Sequence, residues 1–363
     1  MSKVVYKKVV ATVSAAILAF SLSACGGGSQ ETGSSNNSSS PAPAPASSPA
    51  SSGGGGSEAP LIVKFSHVGT PDSPKGQGAD KFKEVLEAKS GGKIKVEVFP
   101  SSQLYGDNEE QEQLLAGNVQ IINPSMTKLV KFNPSFQIVD MPFLFKSEEA
   151  FYKFWDSEMG EKMFAKIEPN GFKSLGVWGG GAKSFTNNKR PLITPEDFKG
   201  LKFRIQAGKV LEAQFKYLNA SGVTIPFSEV YTALQQGTVD GQENMMNNID
   251  TQKYVEVQKY LTLSEHGRLD YAVLTSKMWW DTLTADQQTM IQEAMDEATA
   301  FERSIAKGLS DGSFKKFKDE GRYEIYEMTE ADKDKFREAL KPMYDEFTPL
   351  IGQEFIDYAR TLE

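Results

Sequence analysis

The run Leu201–Ile205, LKFRI, sets a single arginine, Arg204, among apolar strand residues and on the opposite face from them. An arginine in such a place is costly to bury without an anion to pair with. Its planar fork suits a carboxylate, because two parallel charge-assisted hydrogen bonds can form. The segment therefore asks for an anionic ligand, with an arginine that reaches water or pairs with Glu or Asp as the alternative. Enzyme constellations are missing around it. The two histidines, His67 and His266, are far apart and not in HExxH spacing, and no GxSxG, P-loop or strand-borne GxGxxG occurs. Gly179-Gly180-Gly181 lacks the phosphate-loop spacing. Cys25 is the only cysteine, which removes internal disulfides, cysteine metal sites and a cysteine nucleophile from the folded part. Neither a catalytic function nor a metal or other cofactor is expected.

The elements that must position Arg204 alternate between strand and helix. LIVKFSHV reads as a strand, followed by a helix through GADKFKEVLEAKS that stops at Gly91-Gly92; KIKVEVFP alternates apolar and charged residues as the next strand. NEEQEQLLAG is a helix closed by Gly117, and VQIINPS a short buried strand. FKSLGVWGGG resumes the pattern, and Thr194, Pro195 and Asp197 start a short helix that Gly200 stops. LKFRIQ is then a strand and KVLEAQFKYL a helix. Thr284 and Gln287 form a capping box for one long helix, with Ile291, Met295, Ala298, Ile305 and Leu309 at helical spacing and Gly308 and Gly312 tolerated as a bend. This order predicts an α/β protein with parallel pairing, and the roughly 300 residues after position 60 suffice for two domains.

The N-terminus carries MSKVVYKK, the apolar VVATVSAAILAFSL and then LSAC, ending at Cys25. That is the organisation of a cleaved secretory leader over residues 1–24, the apolar run being short for a bilayer span. LSAC resembles the lipobox of bacterial lipoproteins, which implies a lipidated Cys25 and an exported protein anchored on the outer face of the cytoplasmic membrane or in the periplasm. Residues 25–60, rich in Gly, Ser and Pro, read as a disordered tether. With 40 Lys and Arg against 48 Asp and Glu, the formal net charge of −8 argues against a nucleic-acid partner. Any acidic ligand must therefore be drawn by local positive charge.

With these features in place, GLKFRIQAGKVLEAQFKYLNASG, FSEVYTALQQGTVDGQEN and YVEVQKYLTLSEHG resemble the extracytoplasmic solute receptors of TRAP transporters, the DctP-type substrate-binding proteins, over about Leu61 to Phe347. The resemblance implies a two-domain, periplasmic-binding-protein-like (Venus-flytrap) α/β fold with mixed sheets, hinge strands and a long domain-spanning helix. The first domain would comprise 61–180 with 270–309, the second 181–269 with 310–363. It implies that Arg204 clamps a ligand carboxylate, that Asn244 bonds the same group and that Phe227 packs on the ligand. Lys183 stands where a second basic residue is common. His67, Lys75, Ser125 and Lys128 would come from the first domain, and Trp178 would wall the cleft. Glu229 and Glu243 would orient the basic groups, and Trp279 and Trp280 would pack core or hinge. The expected ligand is an organic acid, a C4-dicarboxylate before a sugar acid or other monocarboxylate. The expected partners are TRAP permease subunits, with the receptor itself a monomer.

Overall fold

A computed structural model describes residues 59–362. The leader at 1–24, Cys25 and nearly all of the tether lie outside the described residues. Ten strands are present among them: β1 (Leu61–Ser66), β2 (Ile94–Phe99), β3 (Ile121–Ile122), β4 (Phe172–Asn187), β5 (Lys202–Ile205), β6 (Ser221–Thr224), β7 (Gly241–Met245), β8 (Tyr260–Leu263), β9 (Arg268–Ser276) and β10 (Glu324–Glu327). One sheet runs β2-β1-β3-β9-β4, with β1 parallel to β2 and β3 and with β9 antiparallel to β3 and β4. The other runs β10-β8-β4-β7-β5-β6, in which β4 is antiparallel to β7 and β8 while β5 is parallel to β6 and β7. The fold is thus the two-domain mixed-sheet form that the motifs implied.

β4 belongs to both sheets. Ala182 still pairs with Arg268 of β9, and Lys183 is the first residue paired with β7, opposite Met245. Between Trp178 and Gly181 the β9 pairing slips, as expected for a bulge that redirects a strand. Glycine is required there. A Cβ on Gly180 would lie 1.7 Å from the Leu269 carbonyl oxygen, one on Gly179 1.8 Å from Tyr152 Oη, and Gly181 has φ +131°. The triple glycine, which has no phosphate-loop spacing, is the point where the strand changes sheets.

The helix Pro74–Lys89 begins a turn earlier than its apolar pattern suggests. Ser73 Oγ accepts from Gly76 N–H at 3.1 Å and Pro74 occupies the first turn, so Lys75 is held within the helix rather than in a loop. The long helix Ala285–Glu320 has its Thr284–Gln287 capping box and ends at Gly321, φ +61°. Its 36 residues span about 54 Å. Ile291, Met295 and Ala298 pack with Val63, Phe65 and Phe82 of the first lobe, whereas Phe317 packs with Tyr254 and Leu261 of the second. The buried stripe then continues through Glu302, Ala306 and Ser313 rather than Ile305 and Leu309, which are half-buried. The helix runs on through Gly308 and Gly312, where an added Cβ would meet nothing.

A third cluster joins Phe136 and Phe154 to Phe185, Phe203 and Phe215, and the C-terminal helices Pro342–Ile351 and Gln353–Thr361 supply Phe347, Phe355 and Ile356 to it. Trp279 and Trp280 are partly buried against the first-lobe core. Gly180→Ala should lower the unfolding free energy by about 1–3 kcal/mol through overpacking at the crossing. Urea denaturation reads this directly, and an unchanged midpoint would show that β4 does not need glycine there.

Candidate functional site

A cavity lies between the lobes. Val68, Gly69, Ser73, Lys75, Asp107, Ser125 and Lys128 line it from the first lobe; Arg204, Gln206 and Phe227 line it from the second. Met245, Asn248, Leu269 and Tyr271 complete the wall. Val68, Ser125 and Gln206 follow the carboxyl ends of β1, β3 and β5, where open α/β sheets present ligands.

Arg204 is fixed by β5, a strand paired on both sides, opposite Val223 of β6 and Gln242 of β7. Its side chain is 1% exposed. Nε donates to the Ile225 carbonyl at 2.9 Å, and Nη1 and Nη2 have no partner at all. It neither reaches water nor forms an ion pair. Burial lowers its pKa from the usual guanidinium value. Both arms of the fork are free for a planar anion.

Lys75 is the second such cation. It is 3% exposed, donates to the Asn123 carbonyl at 2.9 Å and lies 3.6 Å over the Tyr271 ring, with no ion pair. Burial pushes its pKa down to about 8 against the pull of Glu110, Asp107 and Glu302. Tyr271 is itself pinned beside Ser125 by a β-bridge and accepts from Asn248 Nδ2 at 3.3 Å.

The other candidate cations are already committed. Lys128 binds Asp107 at 3.0 Å and donates to Asn108 Oδ1 at 3.1 Å. Lys183 does not line the cavity: it binds Glu243 at 2.6 Å and Asp140 at 3.7 Å in a fully buried cluster. Burial alone would lower its pKa, but Glu243 and Asp140 hold it above the usual lysine value. Burial would likewise raise Glu243, yet Lys183 and His266 hold it far below the usual carboxylate range. Burial lifts Asp140 to about 7 against the Lys183 charge. His266 stacks on Phe185 and bridges Ser264 and Glu243 through Nδ1 and Nε2. Glu243 also accepts from Gln214, so it organises this cluster, whereas Glu229 is exposed and orients nothing.

Besides Asn248–Tyr271, two more contacts cross between the lobes at the cavity. Ser125 Oγ donates to Gln206 Oε1 at 2.8 Å, and Phe227 N–H points at both Asp107 oxygens at 3.4 Å. Phe227 is 8% exposed and lines the cavity. Asn244 sits just behind Met245 and Asn248: its Oδ1 accepts from both, and its buried Nδ2 has no acceptor. Trp178, expected in the cleft wall, is instead core: it is 0% exposed, packs on Phe65 and donates to Thr299. Its burial follows from the inward side of β4 before the glycine bulge. His67 is fully buried beneath Gly69, and neither ring nitrogen has a hydrogen-bond partner.

Gln206, Asp107, Tyr271 and Asn248 were not anticipated. Gln206 directly follows the arginine strand, and Asn248 lies four residues after Asn244, so both carried a signal. Tyr271 lies on β9, whose nine residues are all buried and therefore show no alternation to betray a strand.

Two lobes joined by a strand that serves both sheets, with unpaired cations facing the space between them, define a bilobal ligand-capture protein. The chain belongs to the bacterial extracellular solute-binding proteins of family 7, the DctP family, which matches residues 65–349. The resemblance to TRAP receptors read in its motifs is thereby borne out. The C4-dicarboxylate-binding periplasmic protein DctP of Rhodobacter capsulatus is 45% identical over 301 residues, 82% of this chain and 89% of that protein. A TRAP periplasmic solute binding protein from Shewanella oneidensis, solved with bound succinate, is 40% identical with a TM-score of 0.82, covering 84% of this chain and 99% of that one. The sugar acid binding protein DctPAm from Advenella mimigardefordensis, in complex with galactonate, is 32% identical with a TM-score of 0.81, covering 84% and 99%. No helix among the described residues is long and apolar enough to cross a membrane.

Burial, followed by the Lys75 charge, depresses His67 to about 3 from 6.5. A depressed folded pKa means that the unfolded chain binds the extra proton. Stability from the neutral ring is complete above pH 6.5 and is lost as pH falls from there toward about 3. The slope should reach about 1.4 kcal/mol per pH unit. His67→Gln should flatten the acid limb of a stability–pH profile from urea titrations; identical slopes in both proteins would contradict this.

Proposed function

We propose that the protein captures a C4-dicarboxylate such as succinate, malate or fumarate between its lobes and hands it to TRAP permease subunits. One observation carries this reading: Arg204 and Lys75 are buried against the same cavity and neither has a carboxylate partner. A short diacid neutralises both at once, its first carboxylate in the Arg204 fork and its second at the Lys75 ammonium. A monocarboxylate leaves one buried charge unanswered. Asn244 Nδ2 supplies a further donor on the Arg204 side, and Phe227 packs the chain of the acid. The C4-dicarboxylate for which the Rhodobacter relative is named and the succinate bound by the Shewanella relative fit the same chemistry.

Lys128 and Lys183 serve as support in this account, since each already has its acid. Capture proceeds by closure of residues 61–180 with 270–309 on 181–269 with 310–363, about the crossing in β4. Ser125–Gln206 and Asp107–Phe227 form as the lobes meet, and the ligand favours closure only through contacts the open form lacks. Export through the 1–24 leader and lipidation at Cys25 would hold a monomeric, non-catalytic receptor at the outer face of the membrane. A sugar acid is the second reading, favoured by the galactonate-bound neighbour and by the hydrogen-bonding groups of Ser125, Gln206 and Asn248 at the cavity.

Titration calorimetry of the intact protein should show tight succinate binding that Arg204→Met weakens by 2 kcal/mol or more, about thirtyfold and upward. Lys75→Met should weaken succinate by a similar factor and leave butyrate nearly unchanged. Equal losses for the diacid and the monoacid would remove Lys75 as the second anchor. Binding of galactonate in place of succinate would keep the receptor and replace its ligand.

A further inference from the structure

Four consecutive residues of β4 are held at the crossing, each by a different side chain. Arg303 Nε donates to the Val177 carbonyl at 3.0 Å, and Trp178 Nε1 donates to Thr299 Oγ1 at 2.9 Å. Gly179 N–H donates to Glu302 Oε2 at 2.8 Å, and Gly180 N–H donates to Asp270 Oδ1 at 3.0 Å. The slip in the β9 pairing accounts for the last two bonds. It takes both amides out of the ladder, and a buried N–H must find its acceptor elsewhere. Beyond them Gly181 has φ +131°, and from Lys183 onward β4 pairs with β7 of the other sheet.

The two carboxyl groups that take these amides differ. Asp270 is answered by Arg268, whose Nε and Nη2 bind it at 3.0 and 2.8 Å. Glu302 is 0% exposed, and its Oε1 has no partner. The adjacent Arg303 is committed to Asp156, at 2.6 and 2.9 Å, with its guanidinium over the Tyr152 ring. A buried carboxyl in that condition costs stability rather than adding to it. Glu302 does not line the ligand cavity either. What it does have is the bond to Gly179.

The position of that bond gives it a use. Glu302 is the next buried residue of the long helix after Ala298, which packs in the first-lobe core, whereas Phe317 farther along packs in the second. The two elements that cross between the lobes are thus tied to each other where both leave the first. The tie reaches the cavity through the next residue. A Cβ on Gly180 would meet the Leu269 carbonyl oxygen and Met245 Sδ, and Leu269 and Met245 both line the cavity.

Resting on the closure about β4 read above, we infer that Glu302 is a positioning residue for capture: its bond to the Gly179 amide pins the crossing strand to the long helix and fixes the angle at which the lobes meet. Without the pin the lobes close over a spread of angles. Ser125–Gln206 and Asp107–Phe227 then form in only part of the population, and affinity falls with the fraction lost. Burial raises the Glu302 pKa well above the usual carboxylate range, so the accepting oxygen need not carry a charge and a glutamine amide oxygen can replace it.

Small-angle X-ray scattering and titration calorimetry of the intact protein, with and without succinate, test the pin. The wild type and Glu302→Gln should contract alike on saturation and bind with similar affinity. Glu302→Met should contract less at saturating succinate and bind at least about tenfold more weakly. Glu302→Asp keeps the acid but falls one methylene short of the amide; it should behave as the methionine variant does, and serves if that variant does not fold. A role confined to stability would leave the saturated shape unchanged. Full contraction and wild-type affinity in Glu302→Met or Glu302→Asp would therefore overturn the inference and leave the receptor reading standing. Glu302→Gln as impaired as Glu302→Met would overturn it equally, since the effect would then belong to the acid and not to the bond. A wild type that binds succinate without contracting would bring down the closure reading and this inference together.

Discussion

Each cation taken out of water forfeits hydration worth several kcal/mol, and the interior refunds it only through well-placed partners. At Arg204 and Lys75 the partners are withheld. The guanidinium keeps one bond, to the Ile225 carbonyl, and the ammonium one, to the Asn123 carbonyl, with the Tyr271 ring beneath it. Holding both in that condition demands rigid mounts. Arg204 has a strand paired on both sides, and Lys75 the first turn of a helix fixed by Ser73 and Pro74. The rest of the structure works around the energy left unsatisfied at those two positions, which an anion can release on entering.

The committed cations make the contrast. Lys183 has Glu243 and Asp140, with His266 and Gln214 closing the ring around Glu243. Lys128 has Asp107, which in turn faces Phe227 N–H across the gap between lobes. Breaking a buried pair of this kind is strongly unfavourable, so these side chains are poorly placed to trade their acid for a ligand. They shape the walls and tie hinge to lobe. β4 joins the two lobes, because its glycine bulge lets one strand serve two sheets whose loops meet at the cavity.

Much of this is legible in the sequence. LKFRI reads as a strand by its period of two, and an arginine opposite its apolar neighbours could be singled out by type alone. The Thr284–Gln287 box likewise marks the start of the long helix. What could not be read was the pairing of charges. Glu243 lies 60 residues from Lys183 in the chain, so sequence made Lys183 look as available as Lys75. Trp178 failed for a similar reason: its partners Phe65 and Thr299 come from distant elements. β9 and the C-terminal helices escaped notice because full burial erases alternation, and because those helices pack against both lobes rather than completing a local unit.

The central claim is that two unpaired cations in one cavity select a short dianion. A crystal structure of the intact protein with succinate tests it most directly. The account predicts one carboxylate bidentate on Arg204 Nη1 and Nη2, and the other within hydrogen-bond distance of Lys75 Nζ, with Lys183 still bound to Glu243. A second carboxylate held by Lys183 or Lys128, with Lys75 left unpaired, would contradict it.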